Sequence, residues 1–333
     1  MHFDLTIVWA GIIVFAIAMY VVMDGFDLGI GILFTRFRVG TERSTAMNAI
    51  APVWDGNETW LVMGGGGLMA AFPLAYAIIL PALYAPIIAM LLGLVFRGVA
   101  FEFRWRDPDH RARWDAGFCL GSVIATFAQG VTLGALLQGI KISGRAYAGG
   151  YWDWVTPFSV LTGVSLVAGY ALLGACWLIW KTSGPLHAEA RRLAKPLTLA
   201  MLAAIGAVSI YTPFLSHKYY ETWFTLPGII ALGVMPVVVA AIGVMLFRRI
   251  GQGRDFLPFV LTLSLFGLSL LGLAISMWPD VVPSRVSIWD AAAPRSSQIF
   301  MLVGASVLIP LILAYTSWAY WVFRGKVSEE GYH

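Results

Sequence analysis

The chain alternates between long apolar runs and short polar stretches, and this pattern predicts membrane-spanning helices. Crossing the hydrocarbon core of a bilayer takes about 20 predominantly apolar residues. Nine segments are long and apolar enough, at about 6–34, 51–72, 75–96, 116–138, 157–180, 196–215, 225–247, 256–278 and 299–322. We therefore expect an all-α polytopic membrane protein with about nine transmembrane helices, in which residues 1–333 form a single integral membrane domain.

The composition supports a membrane protein and argues against a soluble one. Charged residues make up 12% of the chain, whereas soluble domains use roughly 25%. The charges also sit in short clusters between the apolar runs, so no stretch is left for a separate water-facing domain.

Lysine and arginine residues concentrate on one side of the predicted membrane. Seventeen of the 22 fall on the side that also holds the C-terminus, and five fall on the opposite side. Because cytoplasmic loops carry an excess of these residues, we expect the N-terminus outside and the C-terminus in the cytoplasm. Basic loops facing anionic lipid also account for the pI of about 9.1, so no nucleic-acid partner is needed to explain it.

Two pairs of acidic residues lie inside predicted spans. Asp24 and Asp27 fall late in the first span, and Asp55 and Glu58 fall at the start of the second. The spacing of three places each pair on one helix face. A charged carboxylate at the bilayer centre costs about 2.5–3.5 kcal/mol on insertion scales. We therefore expect all four side chains to face protein or water.

These acidic residues have a functional and a structural interpretation. The functional one is a proton or cation route that enters from the cytoplasm; the structural one is capping of helix ends or hydrogen bonding to backbone. Asp55 and Glu58 lie near a helix N-terminus, where the dipole favours negative charge, and the sequence favours neither interpretation for them. For Asp24, which is deeper and at the opposite kind of helix end, it favours a functional or network role. Arg97 and Glu102 are expected to pair with each other at the interface.

Glycines are placed where helices could approach closely. Gly25 and Gly29 form a small-xxx-small pair on the first span, and residues 64–67 form a run of four glycines in the second. Small residues allow the backbones of two membrane helices to come together. We expect both sets to lie against neighbouring helices.

Histidine placement indicates that the chain binds no haem or metal ion. A haem held between helices needs inward-facing His, Met or Cys ligands, and none of the five histidines lies in the middle of a predicted span. The chain also has no His, Cys and carboxylate spacing typical of zinc or copper sites. We expect it to ligate no haem and no metal, and to hold no catalytic residue of its own.

Several motifs closely resemble subunit II of the cytochrome bd ubiquinol oxidases. Residues 23–31 read MDGFDLGIG, 52–60 read PVWDGNETW, and 96–102 read FRGVAFE. The string SIWDA at 287–291, after prolines 279 and 283, and YTSWAYW at 315–321 match the same family. The resemblance covers essentially the whole chain. The short connection between the sixth and seventh spans is similar to the cyanide-insensitive branch.

The resemblance implies a fold and a set of partners. The fold is two four-helix bundles plus one peripheral helix, paired with a similarly folded subunit I. In that family subunit I holds two haems b, one haem d and the quinol site, and the complex oxidises ubiquinol and reduces oxygen to water in the bacterial cytoplasmic membrane. The resemblance leaves open a structural quinone in this chain and small single-helix accessory subunits.

Carried onto this sequence, the resemblance implies that Asp24 and Asp55 take up protons from the cytoplasm, with Glu58 and Asp27 as further members of the pathway. Two alternatives remain. In one, the carboxyl groups only pack and the subunit is an anchor for its partner. In the other, the chain is a secondary transporter that uses these acids for proton coupling, although it lacks the internal repeats typical of that class.

Overall fold

A computed structural model describes residues 4–226 and 228–327. Within this part of the chain, eight helices are long and apolar enough to cross a membrane. The remaining elements are short helices and two small antiparallel hairpins. The prediction of an all-α polytopic membrane protein is therefore confirmed.

The described residues form thirteen α-helices and four short strands. The helices are α1 Leu5–Leu33, α2 Thr41–Asn48, α3 Trp54–Ala71, α4 Pro73–Ala82, α5 Tyr84–Arg106, α6 Arg111–Leu137, α7 Pro157–Lys181, α8 Gly184–Tyr211, α9 His217–Phe224, α10 Gly228–Arg249, α11 Phe256–Met277, α12 Ile288–Ala291 and α13 Arg295–Val322. The strands β1 Ile142–Ser143 and β2 Ala146–Tyr147 form one hairpin, and β3 Asp280–Val282 and β4 Val286–Ser287 form the other. One-turn 3-10 helices lie at Phe34–Arg36, Pro108–His110 and Thr212–Phe214.

Local chemistry sets several helix ends. The Asp4 side chain accepts a hydrogen bond from the Thr6 backbone N–H at the start of α1. Before α7, Thr156 and Ser159 form a capping box, and Pro157 occupies the first helical position, where its missing N–H costs nothing. These caps supply hydrogen-bond partners at helix starts, where backbone N–H groups have none within the helix.

The third predicted span, 75–96, is wrong in its position. The segment divides into α4, which ends at Ala82, and α5, which begins at Tyr84 and continues to Arg106. Pro86 lies in the first turn of α5, where a backbone N–H would have no partner within the helix. The predicted span ended at residue 96 because Arg97 is charged. Helix α5 continues past this residue, because the Arg97 side chain is buried among carboxylates.

The second predicted span, 51–72, corresponds to α3. This helix has 18 residues and is not among the eight that pass on length and apolarity. Its polar first turn and its run of glycines lower its hydropathy. The count of nine spans stays a prediction, with α3 as the ninth. The sixth span also begins earlier than expected, because α8 starts at Gly184 and not near residue 196.

The helices pack into two groups that share α7. In the first group, α1 lies against α3, α6 and α7, and α5 lies along α6. In the second group, α7 packs with α8 and α11, and α10 also packs with α8 and α11. The last helix, α13, touches the first group through α1 and α3, and most of its surface is exposed.

The prediction for Gly25 and Gly29 is confirmed. A Cβ atom on Gly29 would lie 1.9 Å from the Tyr170 carbonyl oxygen, and one on Gly25 would lie 2.8 Å from the Tyr170 ring. Helix α7 can approach α1 this closely only because these positions have no side chain.

The prediction for the four glycines of α3 is only half right. Cβ atoms on Gly64 and Gly67 would lie 3.6 and 3.3 Å from isoleucines of α1, so these two positions face a neighbouring helix. On Gly65 and Gly66 a Cβ would meet nothing within 4 Å in the described chain. The run therefore has one face against α1 and one open face, because consecutive residues point in different directions around a helix.

Basic residues gather at one end of the bundle, which we call the basic end. Here the end of α1, the start of α3 and the end of α5 are joined by ion pairs, and Lys326 joins the tail to the start of α11 through Asp255. The hairpins and α12 belong to the other end, where Trp289 donates to Asp4. The charge distribution predicts that the basic end faces the cytoplasm.

Candidate functional site

Five side chains from three helices meet in one cluster at the basic end. We call this the acidic cluster; its members are Asp24, Asp27, Asn57, Glu58 and Arg97. One guanidinium nitrogen of Arg97, Nη1, lies 2.8 Å from Asp24 Oδ1 and 3.2 Å from Glu58 Oε1. The other nitrogen, Nη2, lies 3.9 Å from Asp27 Oδ2. A single arginine of α5 therefore joins carboxylates of α1 and α3.

The local sequence places these groups. Asp24 and Asp27 are three residues apart on α1, so both face the interior between helices. Glu58 lies in the first two turns of α3, where the helix dipole favours a carboxylate. Arg97 also lies within 5.9 Å of the Trp54 ring, so its flat guanidinium has an aromatic neighbour as well as its anions.

Burial differs sharply among the members of the cluster. Asp24 and Asp27 are fully buried and Arg97 is 1% exposed. The Glu58 side chain is 28% exposed. Glu58 is therefore the member through which the cluster reaches its surroundings.

Asn57 and Tyr320 extend the cluster to the last helix. The Asn57 amide nitrogen donates to Asp27 Oδ2 at 2.7 Å and to the Met23 carbonyl at 3.1 Å. The Tyr320 hydroxyl donates to the Asn57 side-chain oxygen at 3.0 Å. A residue of α13 is thus connected to a buried aspartate of α1 by two hydrogen bonds.

The cluster holds more acid than base. Three carboxyl groups face one guanidinium, so full ionisation would leave two uncompensated negative charges. Asp24 Oδ2 and Asp27 Oδ1 are buried and have no hydrogen-bond partner among the described residues. Uncompensated charge is costly in a low-dielectric interior. Chemically, the arrangement offers oxygens that can accept protons.

The structure brings together three of the four predicted site residues. Asp24, Asp27 and Glu58 all contact Arg97. Asp55 lies apart: it is exposed in the first turn of α3 and forms no ion pair within the described residues. The predicted pairing of Arg97 with Glu102 is wrong, because Arg97 turns inward to Asp24 and Glu58 while Glu102 is exposed.

Sequence reasoning assigned no role to Asn57 or Tyr320. Asn57 is 2% exposed, although it lies in the polar turn that contains Asp55 and Glu58. An amide next to buried acids was a usable signal, since a buried polar side chain must find a partner. Tyr320 carried no such signal, because it sits in an aromatic-rich run typical of a membrane interface.

A second buried ion cluster lies at the same end, and we call it the basic clamp. Arg104 Nε lies 2.6 Å from Asp115 Oδ1, and Arg43 Nη1 lies 2.7 Å from Asp115 Oδ2. Arg104 also donates to the Ser44 hydroxyl, and both guanidinium groups lie 5.7 Å from the Phe34 ring. Here two bases face one acid, and both carboxylate oxygens are bonded.

The three described histidines, His110, His187 and His217, lie near helix ends. His110 and His217 lie in short helices, 3.0 and 3.1 Å from carboxylate oxygens of Asp107 and Glu221. His187 lies near the start of α8, 3.0 Å from the Ile179 carbonyl. In the described part of the chain no three His, Cys, Asp or Glu side chains form a group that could hold a metal ion. That the whole chain ligates no haem stays a prediction.

The fold and the site define a polytopic α-helical membrane protein with a buried, acid-rich cluster at its basic end. The family model described as cytochrome bd terminal oxidase subunit II matches residues 5–323. The chain belongs to this family. It is therefore one subunit of a cytochrome bd oxidase, an oxidoreductase complex of the bacterial inner membrane.

Curated relatives support this placement over nearly the full length. The chain is 31% identical to cytochrome bd-I ubiquinol oxidase subunit 2 of Escherichia coli, covering 93% of this chain and 92% of the relative. It is also 31% identical to cytochrome bd ubiquinol oxidase subunit 2 of Bacillus subtilis, with 92% of each covered. A chain of the bd oxidase from Geobacillus thermodenitrificans matches with a TM-score of 0.78 over 96% of this chain and 98% of that one. At 16% identity, that match shows the fold alone.

Proposed function

We propose that this chain is subunit II of a ubiquinol oxidase and delivers cytoplasmic protons to the complex through the acidic cluster. Its partner is a subunit I that holds two haems b and one haem d, where ubiquinol is oxidised and oxygen is reduced to water. Reducing oxygen consumes protons, and drawing them from the cytoplasm contributes to the proton gradient.

The surplus of carboxyl groups over guanidinium groups in the acidic cluster is the observation that supports this role. Asp24 and Glu58 compete for one nitrogen of Arg97, at 2.8 and 3.2 Å. When one of them is neutralised by a proton, Arg97 still has the other as its partner. The cluster can therefore gain and lose a proton without leaving the buried guanidinium unpaired.

The route begins at the exposed carboxyl groups and leads inward. Asp55 is exposed at the start of α3, and Glu58 is partly exposed one turn further along. Glu58 takes a proton from cytoplasmic water, and Asp24, which is fully buried and contacts the same Arg97 nitrogen, receives it. Intramembrane acids commonly serve as proton relays in this way.

The haem chemistry is assigned to the partner subunit. The haems supply electron transfer and oxygen reduction in the complex, and the described histidines of this chain sit at helix ends against carboxylates or a carbonyl. The contribution of this chain is to hold and pass protons at carboxyl oxygens and to pack beside the haem-bearing subunit.

The test uses the oxidase purified through a tag on this chain, as wild type, Asp24→Asn and Asp55→Asn. Reduced-minus-oxidised spectra report haem content, and oxygen consumption driven by ubiquinol reports turnover. With full haem, we expect Asp24→Asn to slow turnover about 100-fold, the size of effect for a lost proton-transfer group. Asp55→Asn should slow it less, because Asp55 lies outside the cluster.

A purely structural anchor gives a different result. In that case Asp24→Asn would keep both full haem and normal turnover. If Asp24→Asn loses haem, that variant alone does not distinguish proton delivery from a structural role. Asp24→Glu then distinguishes these two roles, because it restores a carboxyl group in a different geometry. Asp107→Asn, which removes a partly exposed acid at the α5–α6 turn, is the matched control and should leave turnover unchanged.

A further inference from the structure

Asp27 is held differently from the other carboxyl groups of the acidic cluster. Asp24 and Glu58 share Arg97 Nη1, whereas the nearest Arg97 nitrogen is 3.9 Å from Asp27 Oδ2. The short contact of Asp27 is with the Asn57 amide nitrogen, at 2.7 Å. Asp27 therefore depends on Asn57 for its position.

The orientation of the Asn57 amide follows from a backbone group. The Met23 carbonyl can only accept a hydrogen bond, so the group 3.1 Å from it must be the amide nitrogen and not the oxygen. The same nitrogen then donates to Asp27 Oδ2, and the amide oxygen accepts the hydrogen bond of the Tyr320 hydroxyl. The direction of all three hydrogen bonds is fixed.

Tyr320 completes this arrangement from α13. A cavity of about 170 Å³ at the basic end is lined by Tyr320 together with Asn48, Trp177 and Lys181. Without the Tyr320 hydroxyl, the Asn57 oxygen would be a buried acceptor with no partner among the described residues, which costs free energy. Removing that hydroxyl therefore weakens the orientation of the amide and its hold on Asp27.

The hydrogen bond from Asn57 also bears on which oxygen of Asp27 carries a proton. Because Asp27 Oδ2 accepts a hydrogen bond from Asn57, and a carbonyl oxygen is a better acceptor than a hydroxyl oxygen, a proton added to Asp27 is favoured at Oδ1. Oδ1 is the buried oxygen that has no hydrogen-bond partner in the described chain. We therefore expect Asp27 to gain and lose its proton at Oδ1.

We propose that Tyr320 and Asn57 are positioning residues for proton uptake: they hold Asp27 Oδ2 as an acceptor and favour its proton at Oδ1. This inference rests on the proposed function, because it assigns Asp27 a place in the proton route. It adds α13 to that route, although α13 contributes no acid to it.

The experiment follows the carboxyl group of Asp27 directly. Infrared difference spectra of the purified oxidase are recorded in the carboxylic acid C=O stretching region, and Asp27→Asn identifies the Asp27 band by its loss. We expect Tyr320→Phe to move this band to higher frequency, because Oδ2 is the carbonyl oxygen of the protonated acid and its hydrogen bond from the less firmly oriented Asn57 amide is weakened. Turnover should fall about threefold to tenfold with full haem, as for one lost hydrogen bond.

Two further variants sharpen the result. Asn57→Leu removes the amide while keeping a similar shape, and we expect a band shift at least as large as for Tyr320→Phe. The double variant should add little to Asn57→Leu, since both changes break one chain of bonds. Tyr315→Phe is the matched control: Tyr315 lies on the same helix, is 67% exposed, and should leave band and turnover unchanged.

The outcomes separate this inference from the proposed function. If Tyr320→Phe leaves both the Asp27 band and turnover unchanged while Asp24→Asn slows turnover, the positioning role is wrong and proton uptake stands. If the band moves but turnover is unchanged, Tyr320 orients Asp27 without serving uptake, and the inference is overturned. If Asp24→Asn itself turns over normally, the proposed function fails first.

Discussion

The acidic cluster and the basic clamp are both buried ion networks at the same end of the molecule, yet they are built in opposite ways. The clamp places two arginines on Asp115 and satisfies both of its oxygens. The acidic cluster places three carboxyl groups around Arg97 and leaves one oxygen each of Asp24 and Asp27 without a partner. A fully bonded network suits a fixed structural link. A network with surplus acid suits a group that gains and loses protons.

The largest difference in stability between variants of the two clusters should come from removing an arginine. Arg97→Gln leaves three carboxyl groups with no positive partner, and we expect a loss of about 3–5 kcal/mol in stability, the cost of breaking a buried pair. Arg104→Gln should cost less, because Asp115 keeps Arg43. The temperature at which the purified complex loses its haem absorbance measures both. Equal losses of stability in Arg97→Gln and Arg104→Gln would contradict the proposed difference between the acidic cluster and the basic clamp.

Replacing one aspartate in each cluster by asparagine tests the same contrast between the acidic cluster and the basic clamp. Asp115→Asn leaves two neighbouring guanidinium groups without an anion, and we expect it to destabilise the complex by about 3 kcal/mol. Asp24→Asn removes surplus charge, so its effect on stability should stay below about 1 kcal/mol even though turnover falls. Thermal loss of haem absorbance and turnover per haem distinguish the two. A large loss of stability in Asp24→Asn would indicate that the acidic cluster is itself a structural link.

The helix contact behind the acidic cluster should show an intermediate effect. Gly29→Ala would push a methyl group into the Tyr170 carbonyl, and overpacking of this kind costs about 1–3 kcal/mol. Gly66→Ala has open space in the described chain and is the matched control. Because α1 carries Asp24 and Asp27, Gly29→Ala should also lower turnover per haem, whereas Gly66→Ala should not. Equal behaviour of the two variants would contradict the close approach of α7 to α1.

The smallest effect is expected at the turn beside the clamp. A hydrogen bond with the His110 ring, together with one from Trp114, lowers the pKa of Asp107 below its usual 3.8. A lowered pKa gives stability that is present above the unfolded value and is lost as pH falls through the folded value. Asp107→Asn should therefore lower thermal stability slightly at about pH 5, and the difference should shrink as the pH falls below 3.8. A difference that stays the same at low pH would contradict the lowered pKa of Asp107.

Much of the fold could be predicted because hydropathy reports burial in lipid directly. The first, fifth, eighth and ninth predicted spans agree with α1, α7, α11 and α13 within a few residues. The third span failed because Arg97 ended the apolar run in the sequence while the helix continued. Hydropathy counts a charge as exposed, and it cannot register that three carboxyl groups from other helices surround that charge.

The acidic residues of the site could be predicted, but their partners could not. Asp24, Asp27 and Glu58 were conspicuous because ionised acids are costly in a bilayer. The base that joins these acids is determined by contacts between α1, α3 and α5, which the sequence does not reveal. Glu102 is the acid nearest to Arg97 in the sequence, but Arg97 pairs with Asp24 and Glu58. Asp55 has the same spacing relative to Glu58 as Asp24 has to Asp27, yet it points outward. Spacing along one helix does not reveal which turn another helix covers.

The connection of three helices through Arg97 also bears on how the protein is made. Helices enter the membrane in order of synthesis, so α1 and α3 with their carboxyl groups precede the arginine of α5. Until α5 arrives, Asp24 and Asp27 lack their positive partner, and afterwards the arginine offsets their cost of insertion. We therefore expect stable insertion of α1 and α3 to depend on the arrival of α5, whose Arg97 contacts their carboxylates.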